Sequence, residues 1–315
     1  MSKIAFIYPG QGAQKAGMGA DFYENSGIAR YIFDQAGEEL DLDMKELCFE
    51  ENDRLDLTEY TQAAMVTTCL AMTRVAESKG LKADITAGLS LGEYPAIAAA
   101  GGMNDMDAIR LVRKRGILMQ NTVPAGEGAM CAVISMAAEE IEKVIEPIAD
   151  VSVANYNCPG QIVITGKTDA VEEAAAKLKE AGARRTIMLN VSGPFHSQML
   201  VPAGEKLAEE LEHTRFHELR IPYVTNVTAE KVTDIRETPG LLTTQISSPV
   251  RWMQSMERMI ADGVDTFVEI GPGKTLEGFL RKIDRSVKVF HISQWEDVDK
   301  VCEKLADGGN RMEES

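Results

Sequence analysis

Apolar positions fall into two kinds of segment that alternate along most of the chain: short runs closed by glycine or proline, and longer stretches with helical spacing. The first run, Lys3–Tyr8, stops at "PGQG" and suits a buried parallel strand. Helical spacing follows over Ile28–Leu40. It returns from about 58 to 78, "TEYTQAAMVTTCLAMTRVAES", with Thr58 as a candidate cap and Gly80 as a left-handed stop. "DITAGLS" then leads into the helix-like "LGEYPAIAAAG", and another helix is predicted over Met106–Thr122.

Between Gly128 and Ser192 the rhythm changes. "AMCAVIS", "VSVANYN", "QIVITG" and "RRTIMLNVS" read as strands, with "AAEEIEKVIEPI" and "TDAVEEAAAKLKEAG" as helices among them. The order is β-α-β-β-α-β, a ferredoxin-like arrangement, and it reads as a compact inserted subdomain. Larger α/β alternation then resumes: a helix over Val201–Leu211, a strand at "IPYVTNVT" and a helix at "RWMQSMERMIADG". A strand entering a turn at "DTFVEIGPGK", a helix at "TLEGFLRK" and a strand at "SVKVFHIS" follow. The closing "ADGGNRMEES" reads as a frayed polar tail.

A chain of 315 residues is long enough to bury a large core. The formal net charge of -16 argues against a nucleic-acid binder, whose surface would be broadly basic. The five cysteines are scattered without C-x-x-C spacing, which suggests reduced thiols and a cytoplasmic address. No basic start with an apolar run precedes the first strand, and no stretch is apolar enough for a bilayer, so no membrane partner is expected.

Candidate chemistry centres on Ser90 in "GLSLG". The frame G-x-S-x-G between a strand and a helix is the pattern of a nucleophile elbow, although a hydroxyl in a tight turn fits the same five residues. The loop "PGQGAQKAGMG" fails as a dinucleotide site, because Lys15 stands at the third glycine position; its backbone N–H groups remain candidates to face an oxyanion. A serine nucleophile needs a base, and only four histidines exist. His213 and His217 lie in polar surroundings near a helix end, with no third metal ligand evident. His291 sits within a strand. His196, in the loop "NVSGPFHSQML", stands apart, and on the residues alone a functional and a structural role weigh equally. Arg115 shares a helix face with Leu111 and Leu118, which is uncomfortable for a cation without an anionic partner such as a substrate carboxylate. Asn155 and Asn157 occupy alternate positions of one strand, so both point to one face.

Seven segments in order, "FIYPGQGAQKAGMG", "GLSLGEY", "RKRGILMQ", "NYNCPGQIVITG", "VSGPFHSQM", "QISSPVRW" and "EIGPGK", cover roughly residues 3–290. Together they closely resemble the malonyl-CoA:acyl carrier protein transacylases of fatty acid synthesis. The resemblance implies an α/β-hydrolase-like core with a parallel sheet at residues 1–125 and 198–315, and the ferredoxin-like subdomain at 126–197. It implies Ser90 as nucleophile, His196 as general base, and the backbone N–H groups of Gln11 and Leu91 as oxyanion hole. Arg115 would grip the malonyl carboxylate, and Gln245 would orient His196 through its main-chain carbonyl. Asn155 and Asn157 match the family's asparagine-bearing strand, in a supporting role. The implied substrates are malonyl-CoA and the phosphopantetheine thiol of acyl carrier protein, with no metal or other cofactor, and a monomer is expected. One departure stands out: Leu89 precedes the nucleophile where the family often has histidine, which puts fine acyl selectivity in question.

Two enzyme alternatives stay open at this point. The same serine and histidine would serve an esterase or thioesterase, and an acyltransferase serving a polyketide pathway is the closer rival, although the length fits fatty acid synthesis. A catalytically idle carrier-protein-binding module is the non-enzyme alternative. An acidic carrier protein would need a locally basic docking surface on so acidic a chain; Arg113, Lys114, Arg184, Arg185, Lys206 and Arg281 are candidates.

Overall fold

The computed structural model describes residues 2–191 and 193–310. Its strands are β1 (Ile4–Tyr8), β2 (Ile85–Gly88), β3 (Gly128–Ile134), β4 (Val151–Cys158), β5 (Gln161–Lys167), β6 (Arg185–Met188), β7 (Tyr223–Val224), β8 (Lys231–Val232), β9 (Thr266–Ile270) and β10 (Lys288–Ile292). They form two sheets in an α/β fold. The larger runs β10-β9-β1-β2-β7-β8, parallel except for the terminal β8.

The strands at its centre are apolar along their length because both faces are covered, as parallel sheets require. Alternation along β1 sorts its side chains between two cores. Phe6 and Tyr8 join the core beneath the helices Gly27–Leu40, Thr58–Ser78 and Asp105–Asn121. Ala5 and Ile7 join Trp252, Met256, Leu276 and Leu280 on the opposite face, under the helices Trp252–Ala261 and Thr275–Ile283. Each large apolar side chain so enclosed contributes about 1.5–3 kcal/mol relative to exposure.

The smaller sheet is antiparallel in the order β4-β5-β3-β6. The helices Ala138–Ile145 and Thr168–Glu180 cover one face of it with their own apolar cluster. The other face turns Met130, Ala132, Ala154 and Val163 toward the main core. β4 is also tied to the main body by backbone: Tyr156 N donates to Val250 O (2.9 Å), and Val250 N donates to Ala154 O (2.8 Å).

Several expectations need correction. Thr58 is not the cap of its helix: Leu57 holds that position without a side-chain bond, while Thr58 is buried as the first helical residue. Gly80 does take the left-handed conformation, with φ of 92°. "IPYVTNVT" forms a strand of only two residues, because Asn226 turns away from the sheet to bond the segment around Ser90. Short helices at Ala20–Asn25, Met44–Phe49 and Thr238–Gln245 carry too few turns, or too much Gly, Pro and Thr, to show a helical period. The polar tail begins inside a helix, Trp295–Asn310, whose inner face supplies Val298 and Val301 to the core; residues 311–315 lie outside the described residues.

β2 turns into the helix Glu93–Ala99 through a single 3-10 turn, Ser90–Gly92. The turn is tight enough that a Cβ on Gly88 would lie 1.8 Å from the Gly92 carbonyl oxygen, and one on Gly92 would lie 2.4 Å from Tyr8 O. Backbone cannot yield at both places, so Gly88→Ala is expected to destabilise the protein by about 3 kcal/mol or more. Gly278→Ala, in open space within the Thr275–Ile283 helix, is expected to stabilise by about 0.5–1 kcal/mol. Urea unfolding of the two variants checks both signs.

Candidate active site

Ser90 sits at the top of this turn with φ of 55°, the left-handed region that a non-glycine residue enters only when its surroundings hold it there. The restraint is visible: Ser90 N donates to Asn226 Oδ1 (2.7 Å), and Asn226 Nδ2 donates back to Gly88 O (2.7 Å). One asparagine side chain thus bridges both sides of the turn.

The Ser90 hydroxyl points at His196, with Oγ 2.8 Å from Nε2. His196 is buried and also has a positive φ, 60°. Its Nδ1 lies 2.9 Å from the main-chain carbonyl of Gln245. A carbonyl only accepts, so Nδ1 carries the proton and Nε2 is left bare to accept from Ser90. Burial and the nearby Arg115 charge push His196 down to about 4, against the carbonyl's opposing pull, so the ring is neutral at ordinary pH.

Arg115 is fully buried, and burial lowers its pKa from the ordinary arginine value. Its partners are neutral: Nη1 donates to Gln62 Oε1 (2.7 Å), and Nη2 donates to Gln245 Oε1 (3.0 Å) and Ser90 Oγ (3.1 Å). The ring of Tyr94 lies beneath the guanidinium at 5.6 Å. Arg115 Nε has no partner among the described residues. The Gln245 amide nitrogen in turn donates to Ser90 O (3.0 Å) and to Glu93 Oε2 (2.6 Å).

A cavity of about 720 Å³ opens onto Ser90 and His196. Gln11, Leu91, Asn155 and Asn157 all stand on its wall, as do Leu89 and Phe195. Arg115 and Gln245 lie behind this surface and reach it through Ser90. The structure therefore brings together all eight residues singled out from the sequence. The remaining histidines stand elsewhere: His213 is exposed just past the end of the Val201–Glu212 helix, His217 is half-buried beyond it, and His291 faces Glu277.

Three residues of the constellation were missed: Gln62, Glu93 and Asn226. Gln62 and Asn226 have threonines and a glutamate for neighbours in sequence, and Glu93 stands early in a helix where a charge normally meets solvent, so none of the three carries a distinctive local signal.

The profile of the family described as "Acyl transferase domain" matches residues 5–296. A relative from Bacillus subtilis named malonyl CoA-acyl carrier protein transacylase is 44% identical over 310 residues, 97% of this chain and 98% of its own. The chain belongs to the malonyl CoA-acyl carrier protein transacylase family. The crystal structure of such a transacylase from Clostridium perfringens superposes with a TM-score of 0.95 at 42% identity, covering 99% of this chain and all of that one. A malonyl-transacylase solved in complex with a type II PKS acyl-carrier protein superposes at 0.93 with 36% identity, covering 96% of this chain and all of that one. In this chain the Ser90 hydroxyl oxygen is shared by His196 and Arg115.

The electrostatics predict an observable. Followed by imidazole NMR, His196 should titrate near pH 4, and Arg115→Met should move its midpoint upward by removing the adjacent charge. A midpoint near the ordinary histidine value of about 6.5 in the unaltered protein would contradict the assignment.

Proposed function

We propose that the chain transfers the malonyl group of malonyl-CoA to the phosphopantetheine thiol of acyl carrier protein by a ping-pong route. Ser90 Oγ attacks the thioester carbonyl while its proton passes to His196 Nε2, which the Gln245 carbonyl keeps in the accepting tautomer. The backbone N–H groups of Gln11 and Leu91, on the cavity wall, are assigned to the oxyanion, and such donors are typically worth about 3–4 kcal/mol of barrier each. The carbon–sulfur bond breaks, coenzyme A takes the proton from His196, and malonyl-Ser90 remains. The carrier thiol then gives its proton to His196 and attacks the ester, and Ser90 recovers its proton as it leaves. One thioester is exchanged for another with no change of oxidation state, so the reading calls for no metal or redox cofactor.

The observation that carries malonyl rather than a neutral acyl group is Arg115. Its buried charge has only neutral groups and Ser90 Oγ in direct contact. A carboxylate on the incoming acyl chain supplies the missing anion; an acetyl group leaves the cation unpaired. Asn155 and Asn157 are assigned to supporting the substrate arm along the wall.

The finer architecture supports this reading. The larger sheet, with its serine turn at the carboxyl end of β2, is taken as α/β-hydrolase-like over 1–125 and 198–315. The β4-β5-β3-β6 order of the smaller sheet is taken as ferredoxin-like over 126–197. The proposed working state is a monomer. Among the described residues no helix is long and apolar enough to cross a membrane, and all five cysteines are unpaired, in keeping with a cytoplasmic protein.

Intact-protein mass after brief exposure to malonyl-CoA tests the reading. A malonyl adduct is expected that needs Ser90 and passes to acyl carrier protein; steady hydrolysis without an adduct would make the protein an esterase. Carriers from fatty acid and polyketide synthesis, tried in parallel, decide between those two pathways. Arg115→Ala should slow acylation by malonyl-CoA about a hundredfold and by acetyl-CoA far less. Equal losses would refute the carboxylate clamp.

A further inference from the structure

Glu93 begins the helix that follows the serine turn and has no exposed surface; the residues after it, Tyr94 to Ala99, are buried and apolar. A carboxyl persists in such surroundings only where its oxygens find donors. Oε2 accepts from Gln245 Nε2 (2.6 Å) and from Asn226 N (3.1 Å). The Gln245 carboxamide has one donating and one accepting end. Its nitrogen is turned to Glu93 Oε2 and Ser90 O, which leaves its oxygen facing Arg115 Nη2 at 3.0 Å. Turned over, the amide would set N–H against N–H at Arg115 and oxygen against oxygen at Glu93.

We propose that Glu93 is a positioning residue for malonyl selection: its Oε2 fixes the Gln245 carboxamide with the oxygen toward Arg115, and so holds the guanidinium beside Ser90 Oγ. This inference rests on the malonyl-transfer reading above. The titratable groups around Glu93 are Arg115, Tyr94, Tyr223 and, across Gln245, His196. Burial pushes Glu93 up to about 7, against the pull of its donors and of Arg115. Both donors seen in the geometry, Gln245 Nε2 and Asn226 N, reach Oε2.

Two conservative variants separate acceptor position from charge. Glu93→Gln keeps an oxygen where Oε2 stands but removes the charge. Glu93→Asp keeps the carboxyl and withdraws it from Gln245 by one methylene. Ser90 acylation rates with malonyl-CoA and acetyl-CoA are measured for each by intact mass. Glu93→Asp should lower the malonyl rate about tenfold or more and the acetyl rate less than about threefold, while Glu93→Gln keeps the malonyl-to-acetyl ratio within about threefold. A lost ratio in Glu93→Gln overturns the proposal, as does a retained ratio in Glu93→Asp, including the case where both rates fall alike. If the unaltered protein takes up no malonyl group, the transfer reading itself fails and the inference falls with it; an unaltered protein that does so, with variants that behave otherwise than stated, refutes the inference alone.

Discussion

Arg115 carries its charge with no exposed surface, and the groups around the nucleophile are arranged to keep it there. An isolated ion in such a place is costly unless polar groups surround it. Here those groups are two carboxamide oxygens, a hydroxyl and an aromatic face, so the charge is solvated by dipoles and left formally unmatched in its first contacts. Burial above all, and then the same positive field, keep the His196 ring neutral, which a proton acceptor needs. The charge that selects the acyl group therefore also bears on the base, beside the larger effect of burial.

Gln245 joins these effects. Its main-chain oxygen sets the tautomer of His196, and its side chain spans Arg115, Ser90 O and Glu93. The residue belongs to the helix Thr238–Gln245, far along the chain from the serine turn, yet it meets that turn because β2 and β7 are neighbours in the sheet. Ligands gather outside the carboxyl ends of parallel strands in folds of this kind, and the loops after β1, β2 and β7 supply Gln11, Ser90 and Asn226 here.

What the sequence made legible follows the strength of its periodicity. The helix Asp105–Asn121 and the β-α-β-β-α-β segment have apolar spacing and lie close to where the residues place them, whereas Thr58–Ser78, buried on nearly every side, is legible from its length and the stop at Gly80. Thr238–Gln245 was invisible, since "TPGLLTTQ" reads as a turn and is held by packing against the Val201–Glu212 helix, which approaches closely at Gly204. Ser90 was visible through its flanking glycines. The grouping of Ser90, His196, Arg115 and Gln245 needed the family resemblance, because no local pattern encodes a contact across 155 positions, the separation of Gln245 from Ser90. Glu93 lay three residues from Ser90 and was still overlooked: a charged residue early in a helix normally signals solvent, and only the fold shows that this turn is covered.

The chamber in front of Ser90 is walled by side chains from two sheets that share the main core on this side. Met130 and Val163 belong to the antiparallel sheet, whereas the serine turn is fixed by the parallel one. Residue changes on the first surface reshape the space for an acyl chain without entering the hydrogen bonds that set the second. Descendants of such a protein can thus explore new acyl groups on one sheet while the reaction chemistry is inherited unchanged on the other.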